Sequence, residues 1–204
     1  MVSEQQLLGH QEGRIVLGRA PRHLPFEAGA TLIELAVALV ILAILLTFGM
    51  PSFSEWIQNA QIRTASETVM TGIQLARNEA VKRNTAVEFV LGNPGAQGGT
   101  GWTVREAASG TIIQQTTAGE GSRNAILTPT PGDATTITFN SLGRLPVAML
   151  NLDGSSIITR INVDVPESVL AADKSNDMRI TISTGGQIRL CDPHISATGD
   201  PRSC

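Results

Sequence analysis

One carboxylate stands inside the leading edge of a long apolar stretch, and it is the residue whose setting asks most for a chemical explanation. Glu34 precedes a run from Leu35 to Phe53 that contains no charged side chain. With the apolar residues ahead of it, the run reaches the roughly twenty residues a bilayer-spanning helix needs. A charge in such surroundings costs about 2.5–3.5 kcal/mol on insertion scales, so an intramembrane acid is read as functional and in want of a partner. The bland alternative is that Glu34, near one end of the run, snorkels to the interface.

A second group of reactive side chains closes the chain: Cys191 and Cys204, with Asp192, His194 and Asp200 between them. Three chemistries are open here. A disulfide would close a loop of about 14 residues and contribute on the order of 3 kcal/mol through chain entropy. The cysteines could instead be free thiols, or could join His194 and the acids around a metal. The spacing matches no common zinc pattern, and Pro193 and Pro201 suit a stapled loop, so the reading favours the bridge over a metal. Catalytic patterns are missing from the sequence: there is no H-E-x-x-H, G-x-S-x-G, C-x-x-C or phosphate-binding glycine loop. Two of the three histidines fall before the apolar run, which leaves His194 as a lone candidate base. The chain reads as a non-enzyme without cofactor or metal.

Composition narrows the classes further. The 204 residues carry a net charge of −3, so no global basic field draws in nucleic acid. Aromatic residues make up 3% and Tyr is absent, which argues against a stacking platform for bases or sugars. Residues 1–29 are polar and mixed in charge, a targeting leader more than a folding unit. The small-residue break Ala28-Gly29-Ala30 lies before the apolar run rather than after it, opposite to an ordinary secretory signal. Cleavage at Gly29 would leave the apolar segment as the new N-terminus, with the basic side cytoplasmic and the body across the membrane.

The stretch Gly29-Ala30-Thr31-Leu32-Ile33-Glu34-Leu35 resembles the prepilin peptidase site of type IV pilins and type II secretion pseudopilins, G-F-T-L-I-E-L. The resemblance implies cleavage between Gly29 and Ala30 by a prepilin peptidase and N-methylation of Ala30. It also implies pairing of Glu34 with the terminal amine of a neighbouring subunit. That pairing agrees with the physics, since a buried carboxylate and ammonium each satisfy the other. Ala30 departs from the motif, where Phe is usual.

Beyond the run, Ile62, Ala65, Val69, Gly72/Ile73, Ala76 and Ala80 recur at three- and four-residue spacing. One long helix over about 31–83 is expected, apolar nearly all round in its first half and one-sided in its second. A kink is expected at Gly49 and Pro51. The segment Gln74–Asn84 (QLARNEAVKRN) resembles the helix end of the GspH/FimT-type branch. Arg77, Glu79 and Lys82 read as a solvated or sheet-edge face.

Short β-prone segments follow at about 85–91, 101–106, 111–115, 124–128, 135–140, 157–165, 178–183 and 186–191, separated by turn signals. The expected fold is α+β, a long N-terminal helix packed on a C-terminal antiparallel β-sandwich. The glycine-rich loop 92–100 reads as mobile. The expected organisation is a leader over 1–29, a transmembrane and filament-core helix over 30–54, an amphipathic helix over 55–84, and a periplasmic β-domain over 85–204 ending in the disulfide loop.

The tail from Arg189 to Cys204 resembles the C-terminus of FimT/FimU-type minor pilins, which tilts the reading toward a minor type IV pilin. The resemblance then implies inner-membrane lipid, other minor and major pilins, and the peptidase as partners. It also implies a single-pass inner-membrane location before incorporation into a pilus or pseudopilus. A type II secretion minor pseudopilin is the nearest alternative, and an uncleaved membrane-anchored periplasmic domain a more distant one. Some FimT-type subunits bind DNA for natural transformation through G-R-x-R. The matching positions are Gly186, Gln187, Ile188 and Arg189, so the first arginine is missing. Arg179, Arg189 and Arg202 are the residues that could still contact phosphate.

Overall fold

The computed structural model describes residues 31–197 and 199–204, with backbone alone described at 48–51. The leader and the Gly29–Ala30 bond lie outside the described residues, as do the side chains of Gly49 and Pro51, where a kink is expected. Contacts divide the chain into two units, one ending at Ala43 and one running from Ile44 to Cys204.

Helix α1 covers Leu32–Arg83. In the first unit, Thr31 caps it. The Glu34 amide donates to Thr31 Oγ1 at 3.3 Å and the Leu35 amide to the Thr31 carbonyl at 3.1 Å. This is half of a T-x-x-E capping box, which satisfies an amide that the first turn leaves without a helical partner. The side chains behind the cap, including Leu35, Val37, Leu39 and Leu42, are all exposed. Among the described residues no single helix is long and apolar enough to cross a membrane; Leu32–Thr47 and Ser52–Arg83 meet that test only as a pair.

In the second unit the helix turns one-sided. Ile62, Ala65, Val69, Ile73, Ala76 and Ala80 are fully buried in the core. Their spacing puts them on one stripe of the cylinder. Gly72 belongs to that stripe at its tightest point. A Cβ there would lie 2.7 Å from Trp102 Cε2 and 2.8 Å from Phe89 Cε2. Glycine is what lets the helix backbone approach the Phe89–Trp102 ring pair, whose centroids are 5.8 Å apart. The helix ends at Arg83 because Asn84 takes a left-handed conformation, φ 51°. The Thr85 amide then reaches back to the Ala80 carbonyl at 3.2 Å.

Eight strands follow: β1 Val87–Leu91, β2 Trp102–Glu106, β3 Ile112–Gln115, β4 Ile126–Thr130, β5 Thr136–Phe139, β6 Arg160–Asp164, β7 Met178–Ile182 and β8 Ile188–Cys191. They form two four-stranded antiparallel sheets, ordered β3-β2-β1-β5 and β4-β6-β7-β8. The α+β architecture expected from the pattern is the one observed. Strands β6 and β7 alternate as their sequences do: Ile161, Val163, Ile180 and Ile182 are buried and Arg160, Asn162, Arg179 and Thr181 face outward.

Two segments differ from expectation. The strand anticipated from 157 begins only at Arg160, because Ile157 and Ile158 are drawn off to β5: Thr136 bridges Ile157 and its carbonyl accepts from the Ile158 amide at 3.1 Å. The glycine-rich segment 92–100 is tied down. Gly95 and Gly98 amides donate to the carbonyls of Leu127 and Ala125, each at 2.8 Å. Its glycines serve close backbone approach: a Cβ on Gly99 would fall 2.0 Å from the Asn93 carbonyl oxygen.

Candidate functional site

The acid that the sequence singles out, Glu34, sits in the first turn of α1 and is solvent-exposed in the single chain. Its amide is held by the Thr31 cap, so the turn that carries the carboxylate is ordered from its own sequence. Around it Leu32 is 87% and Ile33 74% exposed. The arrangement is an apolar helical surface with one anion near its start. Exposed apolar surface of this extent marks a site of interaction with protein or membrane.

At the other end of the chain, Cys191 and Cys204 form a disulfide with Cα atoms 5.2 Å apart. Further bonds hold the closed loop. The Arg189 guanidinium donates to the carbonyls of Pro201 and Ser203 at 3.0 and 2.8 Å. The Asp192 amide donates to the Arg202 carbonyl at 2.8 Å, and Asp192 bridges to Ser203. Inside the loop the Asp192 carboxylate accepts from the His194 amide at 2.8 Å. Both cysteines are therefore spoken for. Among the described residues no group of three or more His, Cys, Asp or Glu side chains is placed to hold a metal.

The loop also reaches back to the sheet. His194 Nε2 lies 3.1 Å from Asp177 Oδ2. Asp177 in turn shares the Ser175 hydroxyl with Asp164, at 2.6 and 2.9 Å respectively. Burial and then the hydrogen bond to Asp177 raise the Asp164 pKa above its ordinary value. For Asp177 burial also acts upward, but the hydrogen bonds from Asp164, Ser175 and His194 outweigh it and the pKa is lowered. The arrangement is two carboxylates that share one serine hydroxyl, with a histidine beside Asp177. Sequence reading missed it, since only the β6–β7 register, carried one step past Val163 and Met178, sets Asp164 opposite Asp177.

The three arginines considered for phosphate contact lie on one side of the second sheet and its tail, yet each already has a partner. Arg179 donates to Asn162 Oδ1 across the β6–β7 pair at 2.7 Å. Arg189 is occupied with the tail carbonyls. Arg202 pairs with Asp200 at 3.0 Å, and that pair lowers the Asp200 pKa through its hydrogen bonds. Gly186 has a packing role. Its φ is 79°, and a Cβ there would meet the Gly143 carbonyl oxygen at 2.0 Å. That same carbonyl accepts from Arg77 Nε at 3.1 Å, so Arg77 links helix and turn. Glu79 is nearly buried and is bonded to Arg83 at 2.6 Å and Lys82 at 3.1 Å. It secures the last helical turn, where the sequence suggests a merely solvated or edge-lying face.

A family model described as type II transport protein GspH matches residues 65–203, which spans α1's buried half, both sheets and the closed tail. The chain belongs to the GspH family. It is accordingly a pilin-like structural subunit, a minor pilin or pseudopilin. Among solved structures, this GspH-family chain is similar to the type IV minor pilin FimU of Pseudomonas aeruginosa strain PAO1. The two are 19% identical with a TM-score of 0.46, covering 66% of this chain and 99% of the other. It is also similar to the minor pseudopilin EpsH from the type 2 secretion system of Vibrio cholerae. There the identity is 17% and the TM-score 0.43, covering 67% of this chain and 99% of the other. A search among curated proteins finds no match.

Proposed function

We propose that this GspH-family subunit is a minor pilin of a type IV pilus, made as a precursor and cut by prepilin peptidase between Gly29 and Ala30. One observation carries the reading: an exposed apolar helix begins with a capped turn whose lone carboxylate, Glu34, stands just past a glycine cleavage motif. Before assembly the apolar segment, residues 30–54, holds the subunit in the inner membrane with its body in the periplasm. During assembly it leaves lipid and packs beside its fellows. Glu34 then meets the terminal amine of a neighbour, which removes the penalty of each unpaired charge and sets axial register. The resemblance of the tail 189–204 to minor pilins supports the pilus over the secretion machine. The partners are other minor and major pilins, and Ala30 carries the methylated amine.

Mass spectrometry of the native mature protein tests processing: the expected N-terminus is methylated Ala30, and an N-terminus at Met1 overturns the proposal. Glu34→Ala is expected to insert into membrane normally and to fail to enter filaments. Normal incorporation of that variant removes the role assigned to Glu34.

The description of the matching family favours a second reading, a minor pseudopilin of type II secretion. A deletion strain separates the two. Loss of surface pili with intact protein secretion supports the pilus, and the reverse supports the pseudopilus.

A further inference from the structure

The aromatic residues of this chain are few, and their placement is uneven. Of those with described side chains, Phe89, Trp102 and Phe139 are buried in the core. The other two, Phe53 and Trp56, are 62% and 65% exposed and stack on each other with centroids 5.9 Å apart. They stand where two kinds of chain meet. The apolar run ends at Phe53, and Glu55, two residues on, is the first charge. Glu55 pairs with Lys174, and Asn59 donates to the Lys174 carbonyl at 3.1 Å and accepts from the Asn176 amide at 2.8 Å. The body is thus fastened to the helix directly beyond Trp56.

Trp56 also borders two clefts. Arg123 lines the first, together with Gln61 and Thr64. Arg63, Asp177 and Asp192 line the second. An exposed indole, a second ring against it, an uncharged run before it in sequence and arginines, amides and acids after it make up the composition of an interfacial anchor. Indole rings collect at the headgroup level because one edge is apolar and the other is wet. Lys and Arg at the same depth attract lipid phosphate.

We infer that the stacked pair Phe53–Trp56 is a lipid-interface anchor that fixes how deep the subunit rides in an anionic bilayer before assembly. The occupant of this surface is the headgroup region of a phospholipid leaflet, with Arg123 facing its phosphates. This inference rests on the membrane-held precursor state proposed above.

The test uses the full-length protein in phosphatidylcholine–phosphatidylglycerol vesicles and reads tryptophan emission. Trp102 is 3% exposed, so the difference between the native protein and Trp56→Phe isolates the signal of Trp56. Lipids brominated near the headgroup end of the acyl chain are expected to quench that signal roughly twofold more than lipids brominated near the chain terminus. Equal quenching, or stronger quenching by the deep label, overturns the assignment of depth. A blue-shifted Trp56 signal without quenching shows a protein cover, such as a second copy, and overturns the lipid occupant. Ile41→Trp in a Trp56→Phe background separates the two levels of the argument. If the tryptophan at that position is quenched and Trp56 is not, the anchor falls and the membrane-held state stands. If neither is quenched, both fall.

Discussion

Asp164 and Asp177 accept from a single hydroxyl, Ser175 Oγ, at 2.9 and 2.6 Å. One hydroxyl donates one proton, so the two carboxyls cannot both be satisfied by it while both are ionised. Burial is the first cause that raises the Asp164 pKa, whereas at Asp177 burial acts the same way but the hydrogen bonds from its neighbours outweigh it and the pKa is lowered.

The pair therefore makes stability depend on pH with two opposite signs. Asp164 is raised above 3.8, so its contribution is complete below the unfolded value and is lost as pH rises through the raised one. Asp177 is lowered below 3.8, so its contribution is complete above the unfolded value and is lost as pH falls through the lowered one. Asp164→Asn keeps a donor and removes the titration. Melting followed by circular dichroism from about pH 4 to about pH 7 should show the variant gaining on the native protein as pH rises, by about 2 °C or more at the neutral end. A constant difference across that range would count against the raised Asp164 pKa.

Gly72→Ala sets two effects against each other. Alanine in a helix interior gains about 1 kcal/mol over glycine. The new methyl, however, meets the rings of Trp102 and Phe89 at 2.7–2.8 Å, and neither ring is a flexible chain end. Overpacking of this kind costs about 1–3 kcal/mol. The expected outcome is net destabilisation of roughly 1 kcal/mol in urea titration, with a shift in Trp102 emission. Stabilisation would mean that the helix stands further from β1 and β2 than described.

Cys204→Ser is expected to lower the unfolding free energy by about 3 kcal/mol, the entropy of a loop of about 14 residues. The loop should then fray only as far as its other bonds allow. Arg189→Ala, by losing the contacts to Pro201 and Ser203, should speed amide exchange in 192–203 without changing the sheets. Unchanged exchange in that variant would show that the covalent bridge alone orders the tail.

Duplex DNA offers a sharper contrast. Arg179, Arg189 and Arg202 are all engaged within the chain, and Gln187 stands where a further cation would be needed. Affinity is expected to be no better than non-specific, about 10⁻⁴–10⁻⁶ M at physiological salt. Gln187→Arg should tighten it and steepen the salt dependence by about one unit of log slope. Tight binding by the native chain at moderate salt would restore the DNA reading.

Much of the fold could be read from periodicity. The buried stripe of α1 is the three- and four-residue spacing from Ile62 to Ala80, and all eight strands fall within or beside segments marked by alternation and turns. Strand ends were less legible: Ile157 and Ile158 look like strand but are claimed by a bridge to Thr136, distant in sequence, which no local pattern encodes. Loop 92–100 misleads for a related reason. Glycine signals flexibility when nothing is near, and close approach when a carbonyl is, and only tertiary packing distinguishes them. At the site, Glu34 announces itself because charge is rare in apolar sequence. Asp164, Ser175, Asp177 and His194 do not, because acids and serines between strands are ordinary until their register brings them together.

The closed tail has one more effect. Strand β8 is the outermost of its sheet, and an open edge invites another sheet to add to it. Here the Asp192 amide is taken by Arg202, and the bridge to Ser203 lays the chain's own end beside that rim. The chain's own end thereby occupies the place a foreign strand would take, and sideways addition through β8 is discouraged.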